Sequence, residues 1–336
     1  MKKLREDLWN NIFTFDINQY QLYLWDRMED FSTLLLGPTG SGKGAAAAAI
    51  GRSGFIPYDE KNNVFAPSFT QTFVSVNLSQ FAETLLESEL FGHARGAFTG
   101  AVESHEGLFA LCGRHGAIFL DEIGDLSQQV QLKLLKVLEE RTFSPVGSHK
   151  KLRFQGRVIA ATNIDLDRLR REKQFRDDFY YRLCSDCIFV PGLHQRLREN
   201  PHELTELIAH TVRIITGADS LELVEMVADV IKKRLGPDYT WPGNVRELAQ
   251  CIRRVIIKHD YTAETRTPVP LTQTLASPDG SLPTARQLLN LYCQSLYQQH
   301  RSYEKVADIT KLDARTVKKY IHAAPENTAQ AAGDAP

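Results

Sequence analysis

The sequence lacks the patterns that identify membrane-spanning, secreted and polybasic proteins. No apolar run approaches the roughly 18 consecutive residues of a membrane span, and the N-terminal MKKLREDLWN has no signal-peptide core. The 40 Lys and Arg residues nearly balance the 41 Asp and Glu residues, which excludes a globally basic nucleic-acid coat. We therefore expect a cytoplasmic protein with no membrane partner, in which any contact with nucleic acid is local.

Cysteine is scarce as well, with 5 residues in a chain of 336. Cys184 and Cys187 form one C-x-x-C pair, but no second pair or histidine cluster completes the four ligands of a structural zinc site. Buried, reduced thiols are the simpler interpretation, and they are typical of the cytosol. The 43% of hydrophobic residues can build a core for about two domains.

Short apolar runs alternate with longer amphipathic stretches through residues 1–194. This alternation is typical of an α/β fold with a parallel sheet and helices on both faces. Ala45–Ile50 continues as a helix from a glycine-rich turn, and Ser127 is expected to cap a helix that reaches about Arg141. The predicted strands are Thr33–Leu36, Phe73–Val76, Ala117–Leu120, Arg157–Ala161 and Cys187–Val190.

The pattern changes after residue 194. Residues 195–261 have helical periodicity, with no further strand signal. Residues 262–283 are rich in Thr, Pro and Ser, which predicts a linker. Residues 284–322 are helical again, and residues 323–336 are expected to form a disordered tail.

A glycine-rich loop follows the first predicted strand and opens a helix. Its G-x-x-x-x-G-K pattern lets backbone N–H groups surround phosphate oxygens, and the helix N-terminus adds positive potential. Lys43 is expected to reach the β- and γ-phosphates, whereas Gly44 stands where a Ser or Thr often ligates magnesium. The residues of this phosphate loop are Gly37, Pro38, Thr39, Gly40, Ser41, Gly42, Lys43 and Gly44.

Two carboxylates follow the apolar strand Ala117–Leu120. We expect Asp121 to hold Mg2+ and Glu122 to polarise the attacking water. Paired acids at a strand end also occur as the solvated start of a loop, but the phosphate loop upstream makes ATP hydrolysis the stronger interpretation. The sequence thus predicts a P-loop ATPase with ATP and Mg2+ as cofactors.

Asn163 and Arg246 are also placed to reach a nucleotide. Asn163 follows the strand Arg157–Ala161, and ligands bind at the carboxyl ends of such strands, although an Asn after a strand is often only a turn former. Arg246 lies in the helix start WPGNVREL, which we expect Asn244 to cap. The Arg246 side chain projects off the apolar face of that helix and can reach a nucleotide between domains.

Arg176 and Arg182 lie in FRDDFYYRL. An arginine finger stabilises charge on a phosphoryl group during transfer, and either residue fits that role. Spacing alone favours a plainer alternative, in which each arginine pairs with Asp177 or Asp178 on the surface. Both interpretations stay open on the residues alone.

Glycines at a spacing of four indicate a loop between Gly92 and Gly100. They do not all suit a helix interior, so we expect a flexible excursion that carries Phe98 and Thr99 outward. An exposed aromatic residue on such a loop is typical of a partner contact. The alternative is a Phe98 ring packed back into the core.

Residues 284–322 contain two short predicted helices, Glu304–Ile309 and Ala314–Ile321, with Asp313 as the cap of the second. Seven basic residues against three acidic ones give this segment a net charge of +4. A helix-turn-helix with an outward basic face predicts binding to double-stranded DNA, and a plain helical tail is the alternative. The predicted DNA contacts are Arg315, Thr316, Lys318 and Lys319.

In these motifs the chain resembles the bacterial enhancer-binding proteins, AAA+ ATPases that activate sigma-54 RNA polymerase. The most specific motif is GAFTGA, which stands intact within ESELFGHARGAFTGA. DEIGDL, RVIAATN, FRDDFYYRL and WPGNVREL follow in the family's order, so the resemblance runs from about Thr33 to His259. It implies an activator that binds upstream DNA, assembles a homo-oligomeric ring, typically a hexamer, and remodels the sigma-54 RNA polymerase holoenzyme from the closed to the open complex.

The resemblance also implies roles for single residues. Lys43 and Asp121 resemble the Walker A lysine and Walker B aspartate, and Glu122 resembles the catalytic glutamate that an asparagine, here Asn77, restrains. Thr162 and Asn163 match the first sensor and Arg246 the second. Arg176 and Arg182 match fingers that act on the neighbouring subunit's ATP, while Phe98 and Thr99 match the contact with sigma-54.

The same resemblance divides the chain. Residues 1–194 are expected to form the α/β ATPase subdomain and residues 195–261 its helical lid. The linker, residues 262–283, leads to a Fis-type DNA-binding domain at residues 284–322, followed by the tail at residues 323–336.

Some features depart from the family's pattern. Gly44 replaces a common Glu, Gly54–Ser68 resembles an insertion, and Pro191–Arg196 replaces a segment richer in proline and arginine. The residues before Thr33 are too few for a sensory domain. We therefore expect regulation by another protein in trans or by expression level, unless the chain is a fragment.

Two other functions compete with the activator. A remodeller of a different protein target would share the ATPase, but GAFTGA and the basic C-terminal helices argue against it. A DNA-binding repressor with a decayed ATPase is the other alternative. The intact Lys43, Asp121, Glu122, Arg176 and Arg246 argue against that one.

Overall fold

The computed structural model describes residues 1–65, 72–262, 284–300 and 302–322. It divides the chain into two compact units, Met1–Thr262 and Ala263–Pro336. The strands are β1 Thr33–Leu36, β2 Tyr58–Asp59, β3 Val64–Phe65, β4 Phe73–Asn77, β5 Ala117–Asp121, β6 Thr142–Phe143, β7 Leu152–Arg153, β8 Arg157–Thr162 and β9 Asp186–Phe189. The finer division into subdomain, lid, linker and tail stays a prediction, and the tail and all of the linker except Thr262 lie outside the described residues.

The described helices fall in both units. In the first they are Lys2–Phe13, Ile17–Gln19, Lys43–Arg52, Glu83–Phe91, Leu108–Leu111, Gln128–Glu140, Leu166–Arg171, Asp177–Leu183, Leu193–Glu199, Glu203–Thr216, Leu221–Arg234 and Asn244–Lys258, with single turns of other helix types at Tyr20–Leu24, Met28–Asp30, Leu78–Gln80 and Ile123–Asp125. In the second they are Ala285–His300, Tyr303–Thr310 and Ala314–His322.

One parallel sheet holds the first unit together, with the strand order β4-β5-β8-β1-β9. Each predicted strand is present, and its ends differ from the prediction by at most one residue. Continuous apolar runs of this kind are typical of strands that are covered on both faces. The α/β sheet predicted from the sequence is therefore confirmed.

Alternate residues along β5 point into two different cores. Ile118 and Leu120 face a core shared with the helices Gln128–Glu140 and Asp177–Leu183. Ala117 and Phe119 face the other core, which Lys43–Arg52 and the N-terminal helix close. Burying one side chain of the size of Ile, Leu or Phe stabilises the fold by about 1.5–3 kcal/mol. The two cores hold the strands from both faces of the sheet. The candidate site lies at the carboxyl ends of these strands.

The helices after β9 have a core of their own. Its fully buried side chains include Ile208, Val212, Val227, Leu248, Ile252 and Val255. The prediction that Asn244 caps the last of these helices is wrong, because Gly243 is the cap residue and Asn244 is the first helical residue, with φ 54°. Glu247 accepts a hydrogen bond from the Gly243 N–H at 2.7 Å, at the start of the helix. The Asn244 side chain is therefore not needed as a cap and makes its contacts elsewhere.

In the described part of the second unit, three helices surround a small core of Cys293, Val306 and Val317. Lys311 ends the middle helix with φ 58°, as a left-handed cap. The Asp313 carboxylate accepts hydrogen bonds from the N–H groups of Arg315 at 2.9 Å and Thr316 at 3.0 Å. The predicted cap is confirmed, whereas the helix-turn-helix module and its DNA-binding role stay predictions.

Among the described residues, two hairpins extend from connections of the sheet. β2 and β3 pair within the segment Gly54–Ser68, of which residues 66–68 lie outside the described part. β6 pairs with β7 in the connection between the helix Gln128–Glu140 and β8. Among the described helices, none has the length and apolar character needed to cross a membrane.

Candidate nucleotide site and GAFTGA loop

The phosphate loop joins β1 to the helix Lys43–Arg52 and depends on glycine conformations. Gly37, Gly40 and Gly42 have φ values of 154°, 75° and 106°, which other residues rarely adopt. A Cβ added to Gly37 would lie 2.3 Å from the backbone oxygen of Val190. The helix begins without a side-chain cap, so its first N–H groups remain free for an anion.

Lys43 is buried at the start of this helix. Its Nζ donates to the backbone oxygens of Gly37 at 2.9 Å and Pro38 at 3.3 Å. Burial lowers the pKa of Lys43, and the nearby carboxylates of Glu122 and Asp121 oppose that shift. The ammonium group therefore lies between the phosphate loop and the carboxylates, where a phosphate would offer it a charged acceptor.

Glu122 has a left-handed backbone conformation at the edge of the site. It follows β5 with φ 60° and ψ 47°, a left-handed conformation that costs a non-glycine residue about 1–3 kcal/mol. Its N–H donates to Asp121 Oδ1 at 3.1 Å. Its Oε2 is buried without a hydrogen-bond partner among the described residues. Burial, reinforced by the charge of Asp121, raises the pKa of Glu122, and Lys43 partly offsets this.

The polar residues after β8 lie at the phosphate loop. Asn163 donates from Nδ2 to Thr39 Oγ1 at 2.6 Å. Thr162 is fully buried, and its Oγ1 accepts a hydrogen bond from the Ile164 N–H at 3.0 Å. Asn163 is thus in reach of the nucleotide site, whereas Thr162 shapes the turn that places it there.

Asn77 ends β4, where it lies opposite Asp121 in the strand register. Its Oδ1 accepts hydrogen bonds from the Ser79 N–H at 3.0 Å and the Ser79 hydroxyl at 2.8 Å. In the part of the chain that the structure describes, no hydrogen bond joins Asn77 to Glu122. Restraint of Glu122 by Asn77 therefore stays a prediction.

The helix Asn244–Lys258 meets the phosphate loop directly. Asn244 donates from Nδ2 to the backbone oxygen of Thr39 at 2.9 Å. A Cβ added to Gly40 would lie only 3.1 Å from the Cβ of Arg246. Arg246 is also close enough to Lys43 for its positive charge to lower the pKa of that lysine. The structure thus brings Arg246 to the site, as the sequence predicts.

Sequence reasoning missed a buried ion pair beside the phosphate loop. Arg196 and Glu203 are only 8% and 6% exposed. Arg196 Nε donates to Glu203 Oε1 at 2.9 Å, Nη2 donates to the same oxygen, and Nη1 donates to the backbone oxygen of Ser41 at 3.3 Å. The sequence feature that could have pointed to this ion pair was Arg196 itself, which ends the segment Pro191–Arg196 that departs from the family's pattern.

We expect Arg196→Ala to lower the free energy of unfolding by about 3–5 kcal/mol, because it leaves the buried Glu203 carboxylate unpaired. Urea denaturation of the full chain measures this. Arg198→Ala removes an exposed arginine from the same helix and should change the free energy by no more than about 0.5 kcal/mol. Equal effects of the two substitutions would contradict a structural role for the Arg196–Glu203 pair.

The two candidate fingers have partners within the chain. Arg176 donates from Nε and Nη2 to the Asp178 carboxylate at 3.0 and 2.6 Å. Arg182 donates from Nε and Nη2 to the backbone oxygen of Leu138 at 3.0 and 2.9 Å. The surface pair that spacing allows is therefore present for Arg176 but not for Arg182. A role on a neighbouring subunit stays a prediction.

The GAFTGA segment forms an excursion after the helix Glu83–Phe91. Two backbone hydrogen bonds of 3.0 Å between His93 and His105 close its base. Gly96 and Gly100 have φ values of 79° and 107°, and a Cβ added to either would meet nothing within 4 Å. The backbone therefore turns twice in open surroundings, as a glycine-hinged loop should.

Phe98 and Thr99 lie between these glycines and are exposed. The Phe98 side chain is 39% exposed, so the alternative of a ring packed into the core is wrong. Thr99 is exposed as well. The predicted excursion is present, and its contact with sigma-54 stays a prediction.

The predicted DNA contacts lie on the helix Ala314–His322. Arg315, Lys318 and Lys319 are exposed. Thr316 does not project freely outward, because it is half-buried and its hydroxyl donates to Asp313 Oδ2 at 2.5 Å, as part of the helix cap. Three of the four predicted residues thus present charge to solvent.

Comparison with known proteins agrees with this geometry. The sigma-54 interaction domain family matches residues 21–188. The Nif-specific regulatory protein of Azotobacter vinelandii is 39% identical over 246 residues, which cover 72% of this chain and 42% of that protein. The transcriptional regulatory protein GlrR of Escherichia coli K12 is 36% identical over 267 residues, which cover 78% and 54%. The chain therefore spans about half the length of these relatives.

Solved structures share the fold. NtrX from Brucella abortus, crystallised in complex with ATP, aligns with a TM-score of 0.54 at 22% identity, covering 96% of this chain and 66% of that one. At this identity the likeness shows the architecture alone. The family match spans half of the chain and includes the phosphate loop, the paired carboxylates and GAFTGA. The chain therefore belongs to the sigma-54-dependent activators of the AAA+ family.

Proposed function

We propose that the protein hydrolyses ATP in a ring of identical subunits and uses Phe98 and Thr99 to remodel the sigma-54 RNA polymerase closed complex into the open complex. One observation carries the proposal: a single unit combines a phosphate loop, an unpaired carboxylate oxygen on Glu122 and an exposed, glycine-hinged GAFTGA excursion. The first two features supply the chemistry of ATP hydrolysis. The third feature, the GAFTGA excursion, supplies an exposed surface whose position can depend on ATP hydrolysis.

The ATP site divides its tasks among few residues. The phosphate loop and Lys43 bind the phosphates, and Asn163 contacts the loop from the neighbouring strand. Glu122 accepts a proton from the attacking water, because its unpaired Oε2 has no competing donor. Asp121 fits Mg2+, since it ends β5 near Lys43 and one of its oxygens already accepts the Glu122 N–H. The ion, when bound, neutralises charge on the phosphates.

The fingers would act between subunits. Arg176 and Arg182 both lie on or next to the helix Asp177–Leu183. Their hydrogen bonds within the chain go to Asp178 and to the Leu138 carbonyl, not to the phosphate loop. In a hexameric ring the Arg176–Asp178 pair would open, so that the guanidinium group reaches a neighbour's γ-phosphate. The exposed pair contributes little stability, so opening it costs little.

The second unit would recruit the ring to upstream DNA. Arg315, Lys318 and Lys319 present three positive charges along one exposed helix, which suits phosphate contacts in a DNA groove. Thr316 is assigned to the cap rather than to DNA. A regulatory protein acting in trans also remains part of this proposal.

Promoter melting tests the proposal. With ATP, the full chain should make thymines near the start site of a sigma-54 promoter reactive to permanganate, but not those of a sigma-70 promoter. Arg315→Ala/Lys318→Ala should keep ATP turnover and lower the logarithmic salt dependence of binding to duplex DNA by about 2, since two phosphate contacts are lost. Lys2→Ala/Lys3→Ala removes the same charge from the other unit as a control. ATP turnover without melting would favour a remodeller of another target.

A further inference from the structure

A histidine ring holds Phe98 at the base of its own loop. The ring centres of His93 and Phe98 lie 4.9 Å apart, and their planes are inclined by 62°. Such edge-to-face contacts are attractive, because the positive edge of one ring meets the negative face of the other. Phe98 is therefore exposed on one side and packed on the other.

The His93 ring is fixed in this orientation by both of its nitrogens. Nδ1 lies 2.7 Å from the Ser88 hydroxyl, and Nε2 lies 3.0 Å from the backbone oxygen of Glu103. A carbonyl oxygen only accepts, so we assign the proton to Nε2, and Nδ1 then accepts from Ser88. Ser88 is buried in the helix Glu83–Phe91. Rotating the ring away from Phe98 would break both hydrogen bonds.

Backbone hydrogen bonds also restrain the loop on both sides of Phe98. The backbone hydrogen bond from Ala94 to Val146, 2.9 Å long, anchors the loop before its first hinge at Gly96. Beyond that hinge, the Gly96 N–H donates to the Ala101 oxygen at 2.8 Å and the Ala101 N–H donates to the Phe98 oxygen at 3.0 Å, so the tip is closed on itself and would move as one piece. The ring contact with His93 thus joins the movable tip to the fixed base.

We propose that His93 is a positioning residue that latches Phe98 in a lowered position, and that raising the loop toward sigma-54 breaks this ring contact. The inference deepens the proposed function and rests on it for the identity of the partner. Losing an edge-to-face contact should increase the population of the released tip by roughly 2- to 10-fold.

Chymotrypsin reports this population in the full chain without nucleotide. Cleavage after Phe98 requires a released tip, and slow cleavage follows the population of the open form. Phe15, which is 96% exposed, serves as the internal reference for protease activity. Phe109 is fully buried and is cut only when the unit unfolds. Mass spectrometry of the fragments gives the three rates together.

His93→Ala should raise cleavage at Phe98, relative to Phe15, by roughly 2- to 10-fold without raising cleavage at Phe109. His149→Ala is the matched control, since it removes an exposed imidazole ring from the connection between β6 and β7 and should leave the ratio unchanged. If His93→Ala unfolds, Ser88→Ala tests the same latch by freeing the ring, with a smaller increase expected. Equal ratios in the His93 and His149 variants, or a parallel rise at Phe109 in both the His93 and Ser88 variants, would overturn the latch.

The assay contains no sigma-54, so it separates the latch from the function. A chain that shows the expected cleavage pattern but never binds sigma-54 in any nucleotide state overturns the proposed partner and supports the latch. A chain that opens promoters with an unchanged cleavage ratio in the His93 variant supports the proposed function and overturns the latch.

Discussion

Glu122→Gln is expected to bind ATP normally and to hydrolyse it at least about 100-fold more slowly than the unaltered chain. Glutamine has nearly the same size, and the Glu122 N–H that donates to Asp121 belongs to the backbone, so the substitution preserves the local geometry. An amide does not accept a proton from water at neutral pH. Lys43→Ala should instead lose ATP binding, because it removes the buried ammonium group of the phosphate loop.

Nucleotide binding and steady-state phosphate release, measured on one preparation, separate the two effects. Glu139→Gln makes the same chemical change on an exposed position and should leave turnover unchanged. Glu122→Gln should also hold or raise the free energy of unfolding near neutral pH. The raised pKa means that the folded chain disfavours the ionised carboxylate, and glutamine carries no charge to disfavour. Equal phosphate release by Glu122→Gln and the unaltered chain would remove Glu122 from the catalytic role.

The sheet was predictable because its strands are short apolar runs with polar residues at their carboxyl ends. That pattern is local, and it places Asp121 and Asn163 at the same edge once the strands pair in parallel. The phosphate loop was predictable for the same reason, since its glycines and lysine are contiguous. Local patterns also gave the Ser127 cap, where the hydroxyl accepts from the Val130 N–H at 3.5 Å.

Contacts between distant residues were not predictable. The Arg196–Glu203 pair is close in sequence, but its burial against Ser41 depends on how the later helices meet the phosphate loop. Asn244 illustrates the same limit: a capping pattern identified the helix start, while the side chain is used to contact Thr39. Side-chain direction follows from tertiary packing, which spacing alone does not specify.

The fingers show a different limit. A single sequence allows Arg176 either a surface ion pair or a role on a neighbour, and the single chain shows the pair with Asp178. The two states are compatible, because an exposed ion pair is weak and opens readily. The role on a neighbouring subunit depends on a subunit interface. Local sequence patterns in one chain do not specify the geometry of that interface.

Phe98→Ala is expected to abolish open-complex formation while most ATP turnover is retained. Phe98 lies on the glycine-hinged tip, and the residues assigned to catalysis, Lys43 and Glu122, lie at the carboxyl edge of the sheet. A central aromatic anchor contributes roughly 2 kcal/mol or more to an interface. Its loss should weaken nucleotide-dependent binding to sigma-54 by roughly 30-fold or more.

Thr99→Ala should give the same pattern from a smaller change. It removes one hydroxyl and one methyl group from an exposed position, which alters folding stability by no more than about 0.5 kcal/mol. Val102→Ala is the matched control, because Val102 is 73% exposed just beyond GAFTGA and should activate normally. ATP turnover, sigma-54 binding and permanganate reactivity are measured on each variant. Normal activation by both Phe98→Ala and Thr99→Ala would show that the tip is not the polymerase contact.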